Sequence, residues 1–168
     1  MPLFLNETDV RQLLTMPLAI EAVEEAHREL SLAKAIDVPR QRTLLPQTAL
    51  HILQGALPGR DAIGYKAYTS NRSGVRFLVH VFSASAGTLR VVLEADLLGM
   101  MRTGAASGVA TRRLARPDAE IMGVFGSGWQ AEGHIEAIAA VRPLRRVKVC
   151  ARNAERLAAF CAKMSERL

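Results

Sequence analysis

The sharpest chemical signal in this chain is made by two glycines and an alanine. A short apolar run, Ile121 to Phe125, is followed by "GSGWQA", which places Gly126, Gly128 and Ala131 in the pattern G-x-G-x-x-A. Each small residue meets a separate demand. Gly126 permits a tight turn from strand to helix, Gly128 lets the main chain approach a pyrophosphate with no Cβ in the way, and Ala131 keeps the helix close to the strand. A helix that starts at such a turn offers free N–H groups and a partial positive charge to phosphate oxygens. A bare glycine triplet would be weak evidence. Here "WQAEGHIEAIAAV" reads as a helix and "RRVKVCA" as a second apolar strand, so the turn has the strand–turn–helix–strand setting that dinucleotide binding requires.

The end of the second strand bears on which dinucleotide. A site preferring NAD carries an Asp or Glu roughly 20 residues past the glycines, bonded to the ribose 2′-hydroxyl. This chain has "VCARNAER" there, with Arg152 ahead of any carboxylate. An arginine with Asn153 beside it suits a 2′-phosphate, so NADP(H) is expected over NAD(H). The plainer alternative makes Arg152 a solvated residue at a helix start.

Before the glycine turn the chain must fold something larger. Residues 6–14 read as a short helix opened by Asn6 or Thr8. Thr15 and Pro17 open a longer one, since Thr15 can cap and Pro17 falls in the first turn, where a missing N–H does no harm. Ile20, Val23, His27 and Leu30 lie on one stripe of that helix at three- and four-residue spacing, which makes His27 a packed residue rather than a ligand. From Val38 to Glu94 branched residues cluster in short segments near Arg42–Leu45, Leu50–Gln54, Ile63–Thr69, Arg76–Phe82 and Thr88–Leu93. "LPGRDA", "SNRSG" and "SASAG" are turn compositions between them, and the last three segments suggest an antiparallel meander. Glu94 to Leu114 reads as helix, with an interruption near "RTGAAS". The small residues of "ASGVATRRLA" predict close packing against another backbone.

Composition narrows the function classes. Apolar residues make up 49% of the 168, enough for a packed core. Lys and Arg number 22 against 16 Asp and Glu, a net of +6. The basic residues are scattered singly or in short pairs with no interleaved aromatics, so nucleic acid is not the expected partner and anionic small molecules explain the excess. Cys150 and Cys161 form neither a disulfide framework nor a metal-ligand spacing. The N-terminus lacks a signal-peptide pattern and no apolar run reaches the ~20 residues of a membrane span, so a cytoplasmic protein with no membrane partner is expected.

Four blocks identify a resemblance. "LEADLLGMMRTGAASGVATRRLARPDA", Leu93 to Ala119, followed by "GVFGSGWQA", is similar to the ornithine cyclodeaminase/mu-crystallin family, and "PRQRTLLP" (Pro39 to Pro46) and "GYKAYTS" (Gly64 to Ser70) match its earlier blocks in order. The resemblance implies an α/β protein: an α+β substrate-binding and dimerisation domain over residues 1–117, then the first βαβα portion of a Rossmann-type nucleotide-binding domain over 118–168. Family members are considerably longer, which implies a truncated or partial member lacking the family's catalytic aspartate.

The resemblance also implies roles. Lys66 resembles the active-site lysine that contacts the substrate carboxylate. Arg42 resembles an arginine that helps bind that carboxylate, and Arg102 one lying between carboxylate and nicotinamide. Cofactor contacts are implied at Arg102, Thr103, Gly126, Ser127, Gly128, Trp129, Gln130, Ala131, Arg152 and Asn153. The chemistry agrees: a carboxylate needs charge-assisted hydrogen bonds, which arginine supplies in parallel pairs, and a partly desolvated lysine can polarise an imine or move a proton. Plainer roles stand beside these: Arg42 as a solvated strand residue, Lys66 extended to water, Arg102 paired with Glu94 or Asp96. The implied function is an NAD(P)-dependent oxidoreductase or cyclodeaminase acting on a small amino or cyclic imino acid, as a homodimer. A non-enzymatic protein binding NADP(H) or a small ligand, or an inactive fragment, is the alternative.

Overall fold

The computed structural model describes residues 1–72 and 74–167; Ser73, inside the turn read from "SNRSG", and Leu168 lie outside the described residues. The chain divides into two units, residues 1–14 with 25–99 and residues 15–24 with 100–168.

The first unit is built on a six-stranded sheet. Its strands are β1 (Leu3–Leu5), β2 (Ile36–Leu44), β3 (Ala49–Leu57), β4 (Ala62–Asn71), β5 (Gly74–Ser83) and β6 (Leu89–Glu94), in the order β1-β6-β5-β4-β3-β2. Tight turns join β2 through β6, so each strand pairs antiparallel with the next, and the meander expected for the last three runs through all five. β1, which the sequence did not announce, pairs parallel to β6. Between β3 and β4 a 3-10 turn at Pro58–Arg60 ends on Asp61, a non-glycine residue at φ 48°. Its carboxylate accepts from the Ser85 N–H (2.7 Å) and the Ser83 hydroxyl (2.8 Å) and pairs with Arg90, which fixes the turn against the β5–β6 connection.

Helix α1 (Glu7–Leu13) starts at Asn6, whose side chain accepts from the N–H groups of Thr8 and Asp9 while Asp9 accepts from the Asn6 N–H, a reciprocal cap. Two carboxylates extend this capping: Glu94 accepts from the Glu7 N–H (2.8 Å), and Glu7 accepts from the N–H groups of Asp96 (2.7 Å) and Leu97 (3.1 Å). Unpaired amides at two helix starts are thereby satisfied by side chains from outside each helix. Helix α2 (Met16–Ser31) accepts its Thr15 cap only at 3.4 Å, from the Leu18 N–H. Its expected stripe is half right. Ile20 is buried and Val23 half-buried, but His27 and Leu30 are exposed.

The second unit contains most of α3 (Asp96–Leu114), then β7 (Ile121–Phe125), α4 (Trp129–Ala139), β8 (Arg146–Cys150) and α5 (Ala154–Arg167). α3 is continuous, so the expected interruption near "RTGAAS" is absent. The small residues serve a helix crossing instead. A Cβ added to Gly104 would lie 2.2 Å from the Gly133 carbonyl oxygen of α4, and one on Gly108 would lie 3.1 Å from the Ala137 carbonyl oxygen. Backbone-to-backbone contact of this kind repays the helix propensity that glycine forfeits, and it fulfils the expectation of close packing. Arg142 donates to the carbonyl oxygens of Thr111 (2.7 Å), Arg112 (3.0 Å) and Ala115 (2.7 Å), closing the C-terminal end of α3 with a cation.

β7 and β8 pair parallel as a two-stranded sheet. On one face Met122, Val124, Val147 and Val149 pack with Ala131, Ile135, Phe160 and Met164. Alternation puts Ile121, Phe125, Arg146, Lys148 and Cys150 on the other face, all exposed. α4 is tied to α5 through the buried Glu132, whose carboxylate accepts from Lys163 (2.6 Å) and Arg167 (3.1 Å). Among the described residues no helix is long and apolar enough to cross a membrane.

Candidate functional site

The glycine turn has the geometry its sequence predicts. β7 ends at Phe125 and the chain turns at Gly126, whose φ of 104° is open to glycine and strained for other residues. The Gly126 N–H donates to the Cys150 carbonyl oxygen at 2.7 Å, which seats the turn beside the end of β8. Gly128 is the N-cap of α4, and no side chain caps that helix. Cβ atoms added at Gly126 or Gly128 would meet nothing within 4 Å. The space that a side chain would fill is open, in front of amides that no side chain satisfies. This is the setting a diphosphate fits. Ala131 lies one turn into the helix, packed on Ile135 and the β-strand valines, the close helix–strand approach that its size permits. Ser127 is half-buried, while Trp129 and Gln130 are exposed on the first turn.

Beyond β8, Arg152 is exposed, and Asn153 caps α5 by accepting from the Arg156 N–H at 2.8 Å. Part of the Asn153 side chain is therefore committed to the helix, and the exposed guanidinium of Arg152 is the group on this segment able to meet a phosphate. Arg102 and Thr103 lie on α3 in this same unit, Arg102 exposed and Thr103 half-buried. Of the two carboxylates named above as plainer partners of Arg102, Glu94 accepts from the Glu7 N–H (2.8 Å), and Asp96 accepts from the Phe77 N–H (3.1 Å) and Arg76 (3.2 Å).

Arg42 and Lys66 belong to the first unit, and its sheet puts them on one face. Register aligns Arg42 on β2 with His51 on β3, Tyr68 on β4 and Phe77 on β5 in a single row across four strands. Lys66 stands two residues from Tyr68 and so points to the same side, with Leu53 and Val79 as its cross-strand neighbours. The half-buried Lys66 holds its Nζ 5.5 Å from the Tyr68 ring centroid and 5.0 Å from that of Phe77. His51 stacks on Tyr68 at 4.4 Å and 7°, and its Nε2 shares a hydrogen bond with the Ser70 hydroxyl at 2.8 Å. Burial, then the Arg42 and Arg40 guanidinium groups, hold the His51 imidazole below its ordinary pKa, so it is neutral at pH 7. The result is a cationic, aromatic surface: Arg42 and Lys66 for an anion, and Leu53, Tyr68, Phe77 and Val79 for apolar carbon. None of the residues sharing the rows of Lys66 and Tyr68 is a carboxylate.

Sequence reasoning singled out Arg42 and Lys66, and the same face carries His51, Ser70, Tyr68 and Phe77, which it did not single out. No spacing marks these four. They meet only through cross-strand register, and the one available signal was the matched alternation of β3 and β4. Among the described residues no cluster of three or more His, Cys, Asp or Glu side chains could hold a metal ion.

Comparison with known proteins shows the family. The model of the ornithine cyclodeaminase/mu-crystallin family matches residues 1–167. A Delta(1)-pyrroline-2-carboxylate reductase of Bacillus cereus is 31% identical over 176 residues, covering 98% of this chain and 54% of the relative. The solved Delta(1)-pyrroline-2-carboxylate reductase of Thermococcus litoralis, in complex with NADH and L-proline, superposes with a TM-score of 0.91 at 29% identity, over 98% of this chain and 54% of that one. An archaeal alanine dehydrogenase, solved as a dimer with bound NAD, gives 0.92 at 28% identity, over 99% and 53%. The chain thus spans about half the length of the relatives it matches.

Proposed function

Since the chain belongs to the ornithine cyclodeaminase/mu-crystallin family, we propose that it supplies the substrate face and the first part of the cofactor cradle of a nicotinamide-dependent oxidoreductase acting on a small amino or cyclic imino acid. The observation that carries this reading is the open glycine turn: a positive-φ Gly126 and an unobstructed Gly128 at the start of a helix that no side chain caps. The nicotinamide supplies the hydride. In this reading Gly126, Ser127, Gly128, Trp129, Gln130 and Ala131 receive the diphosphate, and Arg102 and Thr103 lie toward the nicotinamide. Arg152, with Asn153, meets a 2′-phosphate, which favours NADP(H) over NAD(H). Arg42 and Lys66 hold the substrate carboxylate, and the Lys66 ammonium delivers a proton at the imine nitrogen on reduction, leaving the neutral amine that takes a proton back in the reverse direction. Residues 1–117 form the substrate domain and 118–168 the Rossmann-type nucleotide-binding portion of a cytoplasmic enzyme.

Two observations refine the reading. The absence of a carboxylate from the rows around Lys66 leaves a substrate's side-chain amine no counter-charge there. A cyclic ketimine, as in the pyrroline-2-carboxylate reductases, suits that surface better than a diamine. The face of the sheet opposite Lys66 exposes Leu50, Ile63 and Leu78 at 38%, 48% and 39%, an apolar surface that supports a homodimer.

Trp129, the chain's one tryptophan, stands in the glycine turn and reports on it. Adding NADPH should quench its emission by energy transfer, with weaker quenching by NADH, and Arg152→Ala should bring the two cofactors level. Gly128→Val should abolish quenching with the far-ultraviolet circular dichroism unchanged. No quenching by either cofactor at saturation overturns the dinucleotide reading. Where cofactor binds, pyrroline-2-carboxylate, piperideine-2-carboxylate and ornithine assayed side by side separate reductase from cyclodeaminase.

A further inference from the structure

His51 has no part in the function proposed above, and its position is expensive. It is only 9% exposed, and its Nδ1 is buried with no hydrogen-bond partner among the described residues. A histidine present only to fill space would have both nitrogens satisfied, or would be outperformed there by an apolar residue. What the ring does have is a definite orientation. The Ser70 hydroxyl holds Nε2 at 2.8 Å, and the ring plane lies within 7° of that of Tyr68. Tyr68 in turn tilts 60° against Phe77, with centroids 4.7 Å apart. The Lys66 ammonium rests over these two rings.

We propose that His51 is a positioning residue for Lys66: pinned by Ser70 and laid flat against Tyr68, it fixes the aromatic wall of Tyr68 and Phe77 over which the Lys66 ammonium sits. The chain of contact is continuous. Ser70 sets the imidazole, the imidazole sets the phenol ring, and the phenol ring presents its electron-rich face to a cation. A neutral imidazole is needed for this, because a protonated ring stacked on Tyr68 would add a positive charge between Arg42 and Lys66. Burial and the two β2 arginines already disfavour that state. The wall stabilises the charged form of Lys66, so it influences when that nitrogen carries the proton that the proposed chemistry moves. The proposal deepens the reading of Lys66 as the proton-bearing group, but the positioning itself can be tested without turnover.

The test compares lysine reactivities in the same chain. Trinitrobenzenesulfonate attacks only uncharged amines, and peptide mapping resolves Lys66 from Lys34, Lys148 and Lys163. Loss of the wall should raise the uncharged fraction of Lys66, so His51→Ala should speed its labelling about threefold relative to Lys34, the size of a partly exposed cation–π contact. His51→Phe, which keeps a flat ring on Tyr68, should leave the ratio at the wild-type value. An unchanged ratio in folded His51→Ala, or equal acceleration in His51→Phe and His51→Ala, overturns the proposal. Should His51→Ala fail to fold, His51→Leu, which fills the space without a flat ring, decides: a raised ratio supports the positioning role and an unchanged one overturns it. L-proline affinity, measured by calorimetry on the same proteins, separates the two levels. A wild-type chain that does not bind L-proline counts against the substrate reading, while the labelling ratio still decides the role of His51.

Discussion

The two sheets of this protein reach different degrees of completion from similar materials. In the six-stranded sheet, strands β2 to β6 are neighbours in sequence and in space, joined by tight turns, so every central strand finds its partner within a few residues. The two-stranded sheet needs a helix between its strands, because parallel pairing requires a crossover. Its packed face is finished by α4 and α5, while the other face leaves Phe125 92% exposed and Ile121 61% exposed. Antiparallel hairpins close locally. A parallel sheet, buried on both faces in its mature form, borrows its second cover from elsewhere. The first region therefore carries a finished surface on which Arg42, Lys66 and the aromatic row are already arranged. The second carries its glycine turn on a two-stranded sheet with one face exposed.

The contrast can be broken most severely at the helix crossing. Gly104→Ala would drive a methyl group to 2.2 Å from the Gly133 carbonyl oxygen, and separating α3 from α4 should cost about 3 kcal/mol or more. Urea denaturation followed by hydrogen exchange should show α4 losing protection while β3 and β4 keep theirs. Gly128→Ala, with nothing within 4 Å of its new methyl, should cost less than about 1 kcal/mol, the scale of a changed N-cap. Gly104 and Gly128, both glycines of one unit, would thus be separated into one that packs and one that leaves room. Equal destabilisation by both would erase the distinction.

A smaller effect is expected where the α4–α5 pair is tied. Glu132→Ala removes a buried carboxylate but leaves Lys163 and Arg167 partly in water, with side chains 56% and 37% exposed. The loss should be about 2 kcal/mol, the scale of hydrogen bonds to a charged group. It should appear as a lower thermal midpoint with Trp129 still quenched by cofactor. An unchanged midpoint would mean that the apolar cluster alone holds α5.

The smallest effect lies in the first unit and depends on pH. The Ser85 N–H above all, with the Ser83 hydroxyl and Arg90, holds the Asp61 carboxyl below its ordinary value. A lowered folded pKa gives stability that is fully present above the unfolded value of about 3.9 and is lost as pH falls through the folded one. Asp61→Asn suits the left-handed backbone at this position. Wild-type and variant thermal midpoints should therefore differ at neutral pH and converge as the solution is acidified toward pH 2. A difference independent of pH would place the stabilisation in the turn backbone and not in the charge.

Much of this organisation could be read from the residues. "GSGWQA" fixed the strand–turn–helix because small residues there have few other uses, and Arg42 and Lys66 stood in recognisable blocks. What escaped notice depended on distance in sequence. β1 is three residues that become a strand only by pairing with β6, some ninety positions away. The glycines of α3 looked like a helix break because local propensity penalises them, and only the approach of α4 reveals their purpose. His51 gave no local signal beyond the alternation of its strand, since its row with Arg42, Tyr68 and Phe77 is assembled by register.

Arg142 gathers three carbonyl oxygens at the C-terminal end of α3, and Gly104 and Gly108 bring the middle of the same helix against the α4 backbone. A rod gripped at both places cannot slide or roll alone. The held stretch of α3 faces Gly133 and Ala137, so the register between the two helices is set by main-chain atoms and not by adjustable side chains.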